Sequence, residues 1–371
     1  MGEIDTLEAI PVEVGLTPFE AGGIAPYVSE HDAIDSRQRM LLRVETRDGV
    51  VGWGELLVTM KSVAATKAVI DDVVAPRLIG RETDDIRGFI DEFYFPYVSI
   101  DAFLGGVEMA LWDLKGKELG TGVSELLGGP AAADIPVAYC LGILDPEESA
   151  QYAERAVEAG YETLKTKAGR DWEQDIERVI AMDEATDGNL QFRLDPNQGW
   201  STIETIKVTT ALEKRGVDLE YLEQPQRVNT FENYRNLRNR VETPVAVNED
   251  MYRRFNLYHL VKADAIDAAV VDIVPGAGIL RTRELAAIAT HAGIPLSHHN
   301  GFDLGIKQAA VLHTIAATPA IELPPDCVYY GWDDHIIDPP LQLDNGVMSL
   351  PTGSGLGIDV DEDQVARLRL D

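Results

Sequence analysis

Apolar positions change their spacing once along this chain, near residue 125. Before that point, Ile10 to Leu16 and Gln38 to Thr46 alternate as β-strands do, Asp48-Gly49 supplies a hairpin turn, and Val50 to Val58 returns. Helical spacing follows from Val63 to Ile79, from Asp85 to Tyr94 and from Gly105 to Leu119, so residues 1–125 predict an α+β unit of strands followed by helices. Between its first two strands, Pro18 to Asp35 is polar, contains glycine and is too long for a turn, which predicts a lid. After Gly128-Gly129-Pro130 the pattern becomes strand, helix, strand, helix. Strands are predicted at Pro136–Gly142, Thr163–Lys167, Gln191–Asp195, Leu219–Glu223, Pro244–Glu249, Ala268–Asp272, Ile294–His299 and Ala320–Leu323, most of them separated by amphipathic segments of helical length. Repeats of this kind over residues 126–340 predict an α/β fold, a (β/α)8 TIM-type barrel with an N-terminal α+β capping domain, with a doubly wound sheet as the alternative. No Gly-x-Gly-x-x-Gly follows a strand, which weighs against that alternative. Residues 341–371, with Pro351 and three nearby glycines, read as a segment returning to the capping domain.

Composition narrows the functional classes. Of 371 residues 45% are hydrophobic, enough for a large core. The residues from Met1 to Asp5 show no signal-peptide pattern and no apolar run is long enough to span a membrane, so a cytoplasmic protein with no membrane partner is expected. Cys140 and Cys327 lack metal-type spacing and read as reduced core residues. Acidic residues number 63 against 32 basic ones, a formal net charge of −31, which excludes nucleic acid as an expected partner. The acid is dispersed and only ten of the 32 basic residues are lysine, a pattern that suggests a halophilic protein.

Two of those ten lysines stand in one tripeptide, Lys165-Thr166-Lys167, where strand alternation projects both side chains to one face. Two adjacent ammonium groups depress each other's pKa and burial depresses it further, so a lysine here is expected to act as a base near neutral pH. The other predicted strands also end in charge: Asp195 followed by Asn197, Glu223, Glu249, Asp272, and His298 with His299. In a barrel these ends meet at one mouth. Carboxylates from three consecutive strands, Asp195, Glu223 and Glu249, suit Mg²⁺ and disfavour zinc, neither cysteine being near. Asp272 and His299 end neighbouring strands and would form a dyad in which the carboxylate orients the imidazole and raises its pKa. A cation between two bases, Lys167 and His299, suits removal of a proton next to a carboxylate, with Lys165 and the cation stabilising the enediolate.

These residues resemble the enolase superfamily in its mandelate-racemase branch. Leu164-Lys165-Thr166-Lys167 resembles the Lys-x-Lys motif, Leu194-Asp195-Pro196-Asn197 and Leu222-Glu223-Gln224-Pro225 the first two metal-ligand motifs, and Asn248-Glu249-Asp250-Met251-Tyr252 the third. Asp272-Ile273 through Gly278-Ile279 and Gly293-Ile294-Pro295-Leu296-Ser297-His298-His299-Asn300 are similar to the two dyad motifs, and Ala110 to Lys117 with Leu126-Leu127-Gly128-Gly129 to the capping domain. The resemblance implies Lys167 and His299 as acid/base catalysts, Lys165 facing the substrate carboxylate and Glu322 donating a hydrogen bond to it. Asn197, His298 and Asn300 are candidate substrate contacts. Two departures leave alternatives open: asparagine stands at 248 where glycine is usual, so Asn248 could replace Glu249 as ligand, and the doubled histidine allows His298 in place of His299. A small carboxylate, either a sugar acid or a 2-hydroxy acid, is the implied partner, in a homo-oligomeric enzyme. Dehydration of a sugar acid is favoured over racemisation or epimerisation; a barrel that binds metal or sugar acid without catalysis is the alternative from another class.

The charge balance generates the first prediction. Self-repulsion should weaken the fold at low ionic strength and be relieved as the Debye length falls to about 3 Å near 1 M salt. The melting temperature should therefore rise between dilute buffer and molar KCl, and a flat profile would remove the halophilic expectation.

Overall fold

The computed structural model describes residues 2–93, 95 and 97–370; Tyr94, the predicted end of the second cap helix, and the chain ends Met1 and Asp371 lie outside the described residues. Three antiparallel strands open the chain: β1 (Ile4–Gly15), β2 (Ser36–Thr46) and β3 (Val51–Leu57), in the order β1-β2-β3. β1 begins six residues before its expected start because it pairs with β2 along its length, Ile4 opposite Thr46 and Gly15 opposite Ser36. Helical turns from Val63 to Leu78 follow, and then α1 (Asp101–Leu119), whose middle is buried almost all round. A helix hydrophobic on every side must be covered on every side, and α1 lies between the cap sheet and the second half of the chain.

That half is a barrel. Its strands are β4 (Ala138–Leu141), β5 (Thr163–Lys167), β6 (Gln191–Asp195), β7 (Leu219–Glu223), β8 (Val245–Val247), β9 (Ala268–Val271), β10 (Leu296–His298) and β11 (Asp326–Cys327). They pair in parallel in the order β10-β9-β8-β7-β6-β5-β4-β11. The ring closes through Ile321, which bridges Leu296, and through Leu323, whose N–H donates to the Leu296 carbonyl. The expected eighth strand Ala320–Leu323 is therefore only the start of the last barrel segment. Pro324-Pro325 interrupts it, since proline cannot donate to a ladder, and pairing resumes at Asp326–Cys327 against β4. Tyr221, Ala246, Ala268 and Val270 pack as a small cluster inside the ring.

Helices cover the outside: α2 (Pro146–Glu158), α3 (Trp172–Ala185), α4 (Thr202–Arg215), α5 (Phe231–Arg238), α6 (Asn256–Lys262), α7 (Ile279–Ala292) and α8 (Gly305–Ala316). Their starts are specified locally. Asp145 accepts from the Glu148 N–H ahead of Pro146, and Ser201 with Glu204 forms a capping box. After the barrel the chain returns to the cap, where Leu356 N–H donates to Asp113 and Leu370 N–H to the Pro11 carbonyl.

The cap is bound to the barrel by two buried carboxylates and one close approach. Glu55 on β3 accepts from the N–H groups of Leu304 and Lys307 at the start of α8, and Glu108 on α1 accepts from Leu280 N–H at the start of α7. Both carboxylates thus meet the positive end of a helix. At Gly105 on α1 an added Cβ would run into the Ile273 carbonyl and the Val274 Cα, the backbone that directly follows Asp272. Gly105→Ala should force the two units apart, lower stability by about 1–3 kcal/mol and reduce the melting temperature; an unchanged thermal transition would show that the cap is not seated through this contact.

Candidate active site

Several strand-end side chains of the barrel, Lys165, Lys167, His299 and Asp326 among them, face the space beneath the cap. On β5 alternation turns Lys165 and Lys167 inward, while Thr166 points out to accept from Arg178 on α3. Lys167 is in register with Asp195 on β6, and its Nζ lies 2.5 Å from Asp195 Oδ2. Lys165 is 2% exposed, with Nζ 2.7 Å from Glu223 Oε1, 2.7 Å from Asp326 Oδ2 and 3.3 Å from Asp195 Oδ2. Asp326 is held from below by Arg193, which also pairs with Glu220.

This geometry corrects the expectation of a depressed Lys165. Burial lowers the Lys165 pKa, but the charges of Asp326, Glu223 and Asp195 outweigh it and hold the ammonium well above its usual range. Lys165 is a fixed cation. Asp195 shows the complement: burial is overcome by Lys167 and then Lys165, and its carboxyl is held well below the usual range. Glu223 is pushed up to about 8 by burial, with Asp195 and Asp326 adding to the effect against Lys165.

Glu249 follows β8 in a 3-10 turn, where Gln198 Nε2 donates to its Oε1 at 3.1 Å. Its other oxygen and Glu223 Oε2 are both buried and unpaired. Among the described residues the three carboxylates are not gathered into a ready-made group of metal ligands, because Lys167 and Lys165 draw on two of them. The donor chemistry nevertheless fits a hard divalent cation. Four carboxylates (Asp195, Glu223, Glu249 and Asp326) face two ammonium groups, and two orphaned oxygens remain in the negative surplus. Asn248 is committed elsewhere: its Nδ2 donates to the Val270 carbonyl at 3.0 Å and its Oδ1 accepts from the Tyr252 hydroxyl at 2.8 Å.

Adjacent strand ends bring the dyad together. His299 N–H donates to the Val271 carbonyl, and His299 Nδ1 is 3.1 Å from Asp272 Oδ2. Burial would raise Asp272, but Lys307 and the His299 hydrogen bond hold it well below the usual carboxylate range. His298 points the other way. Its Nε2 accepts from Ile273 N–H, so Nδ1 carries the proton and donates to the His299 carbonyl; burial lowers this ring to about 4. The second histidine, not the first, forms the dyad.

Between these groups and the cap lies a cavity of about 580 Å³, lined from below by Lys165, Lys167, Asn197, His299 and Asp326. Its upper wall is mixed, with Glu13, Asp32, Arg37, Gln38 and Lys61 beside Tyr27, Ile34, Leu57, Val58 and Phe302. The Pro18–Asp35 segment folds over it, with Tyr27–Val28 paired to Ala33–Ile34. His31 Nε2 meets the Asn197 carbonyl at 2.9 Å, and Arg170 Nε donates to the Ser29 carbonyl at 2.7 Å. Asn300 also reaches the cavity, but its amide is used by Gln308, Phe302 and Asp303. Glu322 does not reach it: it lines a separate cleft with Arg283, Thr290 and Gly293, on the side where the strands begin. The kink at Pro324-Pro325 gives the strand-end position to Asp326 instead. Asp326 and Lys307 are among the charged groups at this site that sequence reasoning missed. Continuing the last strand past the prolines finds the first, and a lone lysine within an otherwise uncharged buried helix marks the second.

Comparisons with known proteins agree with this fold. Residues 19–128 match the family described as mandelate racemase / muconate lactonizing enzyme, N-terminal domain, and residues 148–364 match enolase C-terminal domain-like. A D-galactarolactone cycloisomerase of Agrobacterium fabrum is 28% identical over 95% of this chain and 95% of its own. Among solved structures, an isomerase from Streptomyces coelicolor A3(2) superposes with a TM-score of 0.84 at 30% identity, covering 99% of this chain and 96% of that one. The muconate lactonizing enzyme of Pseudomonas fluorescens gives 0.91 at 26% identity over the whole of both chains.

The ligand alternative yields a prediction that calorimetry can read without a substrate. Glu249→Gln and Glu223→Gln should each weaken Mg²⁺ binding roughly tenfold or more, since a charged oxygen donor is lost. Asn248→Ala should lower the melting temperature but leave Mg²⁺ affinity near wild type; the reverse pattern would move the ligand to Asn248.

Proposed function

This chain belongs to the mandelate racemase / muconate lactonizing enzyme family of the enolase superfamily, and we propose that it abstracts the proton α to the carboxylate of a polyhydroxylated acid, ending in dehydration. The observation that carries this is one cavity with a proton-transfer group on each side, Lys167 from β5 and His299 from β10, above the buried, fixed ammonium of Lys165. Asp195, Glu223 and Glu249 would hold Mg²⁺, which when bound lowers the cost of charge developing on the substrate carboxylate. Lys165, charged and fixed, supports the same charge from the floor.

In this reading the substrate acid group lies against Lys165 and one base takes the C2 proton. With His299 Nδ1–H turned to Asp272, its Nε2 is the atom that exchanges a proton with substrate. The C2 electrons form the enediolate, then a C2–C3 double bond as the C3–O bond breaks. The departing hydroxyl takes a proton from His299, or from Lys167, and leaves as water; the enol becomes a 2-keto-3-deoxy acid. The cavity's upper wall favours a hydroxylated chain. Ser36 and Gln38 donate to Glu13, and Asp32 is shared by Arg37 and Lys61, so donors and acceptors for hydroxyl groups stand beside the apolar side chains of the same wall.

A second reading is isomerisation of the same class of acid or of its lactone, by racemisation, epimerisation or cycloisomerisation. It is favoured by relatives named as isomerases, one of them for a sugar-acid lactone. Both readings share the first step, which one experiment tests. In D₂O with Mg²⁺ and molar KCl, wild-type protein should place deuterium at C2 of the sugar acids it binds. Lys167→Ala should stop exchange from one face and His299→Asn from the other, each by at least a hundredfold. A 2-keto product supports dehydration, whereas an epimer or lactone without loss of water supports isomerisation. A bound acid that exchanges no deuterium would leave the non-catalytic barrel.

A further inference from the structure

The dyad carboxylate has a partner that lies outside the cavity. Lys307, near the start of α8, is 1% exposed, and its Nζ is 2.9 Å from Asp272 Oδ1, 3.1 Å from Asp272 Oδ2 and 2.7 Å from Asp303 Oδ1. We infer that Lys307 is a positioning residue for His299: it grips both oxygens of Asp272 from behind, fixes the carboxylate toward the imidazole Nδ1, and opposes the imidazolium with a charge of the same sign.

The placement is over-determined. Val274 N–H donates to Asp272 Oδ1, so that oxygen is held by backbone and lysine together, and Oδ2 is shared between lysine and His299. Lys307 is itself carried by the cap, because Glu55 accepts from its backbone N–H while Arg39 binds the Gly301 and Phe302 carbonyls just ahead of it. Removing the lysine alone would leave Asp272 and Asp303 buried and uncompensated, so Lys307 ties the seat of the cap to the dyad. Burial lowers its pKa, but Asp272 and Asp303 outweigh that and keep it charged.

The charged and titratable groups around His299 come from several elements. Asp272 follows β9, His298 ends β10, Asp303 and Lys307 lie before and in α8, Asp326 is on β11, Arg39 and Glu55 come from the cap, and Lys165 and Lys167 face it across the cavity. Among these only Lys307 touches both oxygens of Asp272. An unopposed Asp272 would attract an imidazolium more strongly, and Lys307, bound to both of its oxygens, opposes that attraction.

The inference rests on His299 as the acid/base group, and its test does not need a substrate. Histidine labelled with ¹³C at Cε1 is titrated by NMR in molar KCl, with the His299 signal assigned by its loss in His299→Asn. In Lys307→Met the His299 titration should move up by about one pH unit or more, and in Asp303→Asn, where Lys307 loses its competing partner, it should move down. A lysine that only supports the fold would lower the melting temperature in Lys307→Met and leave the titration in place, which would overturn the inference. If Lys307→Met does not fold, Asp303→Asn decides: a downward shift supports the inference and an unmoved titration overturns it. Deuterium exchange at C2 tests the catalytic reading separately, so a shifted titration without exchange would keep Lys307 in its role and remove the reaction.

Discussion

Lys165 is the constraint on which the barrel mouth depends. Its ammonium sits within 3.3 Å of three carboxylates that come from three different strands, and none of the four side chains is more than slightly exposed. Removing one partner of such a buried set leaves charge uncompensated, at a cost of about 3–5 kcal/mol. The strands are thereby pinned at the end where chemistry would occur, and β5, β6, β7 and β11 share one cation. A compact ammonium suits this place better than a planar guanidinium, which would impose fork geometry on carboxylates arriving from several directions.

The same logic extends outward through the cap. Glu55 and Glu108 leave the cap as buried acceptors and end on the first turns of α8 and α7. Those helices follow His299 and Asp272, so the two cap contacts and the dyad lie on the same loops. The wall that selects a substrate and the residues that would act on it are therefore not independent parts. Arg170 and His31 add the reciprocal connection, holding the Pro18–Asp35 segment to the loops after Lys167 and Asp195.

Much of this was legible in the chain. Thr163–Lys167, Gln191–Asp195 and Leu219–Glu223 end where the spacing placed them, because an apolar run closed by a charge is a strong signal when parallel strands are buried on both faces. Asp326 escaped because Pro324-Pro325 breaks the last strand into two short pieces, and the family resemblance pointed to Glu322 on the first piece instead. Lys307 escaped because α8 is buried along its whole length, so its periodicity carries no facing information. The Lys165 pKa was misjudged for a different reason: spacing along one strand shows the neighbouring lysine, but the three carboxylates that reverse the shift arrive from other strands. Local pattern reports what a strand presents and cannot report what it meets.

The distribution of lysine joins the site to the surface. Only ten lysines occur in a chain of net charge −31, yet Lys165 and Lys307 are fully buried and Lys167 nearly so. Dissolved salt screens exposed charges within a few ångströms near 1 M but screens buried pairs much less. Two electrostatic regimes must then be solved separately. The surface can carry a large surplus of acid and leave its balance to mobile ions, whereas the interior needs fixed cations with defined partners. Buried lysines supply them at the two places where carboxylates converge, Asp195–Glu223–Asp326 and Asp272–Asp303. Buried arginines do the same elsewhere: Arg39 is paired with Glu55, Arg178 with Asp175 and Arg193 with Glu220.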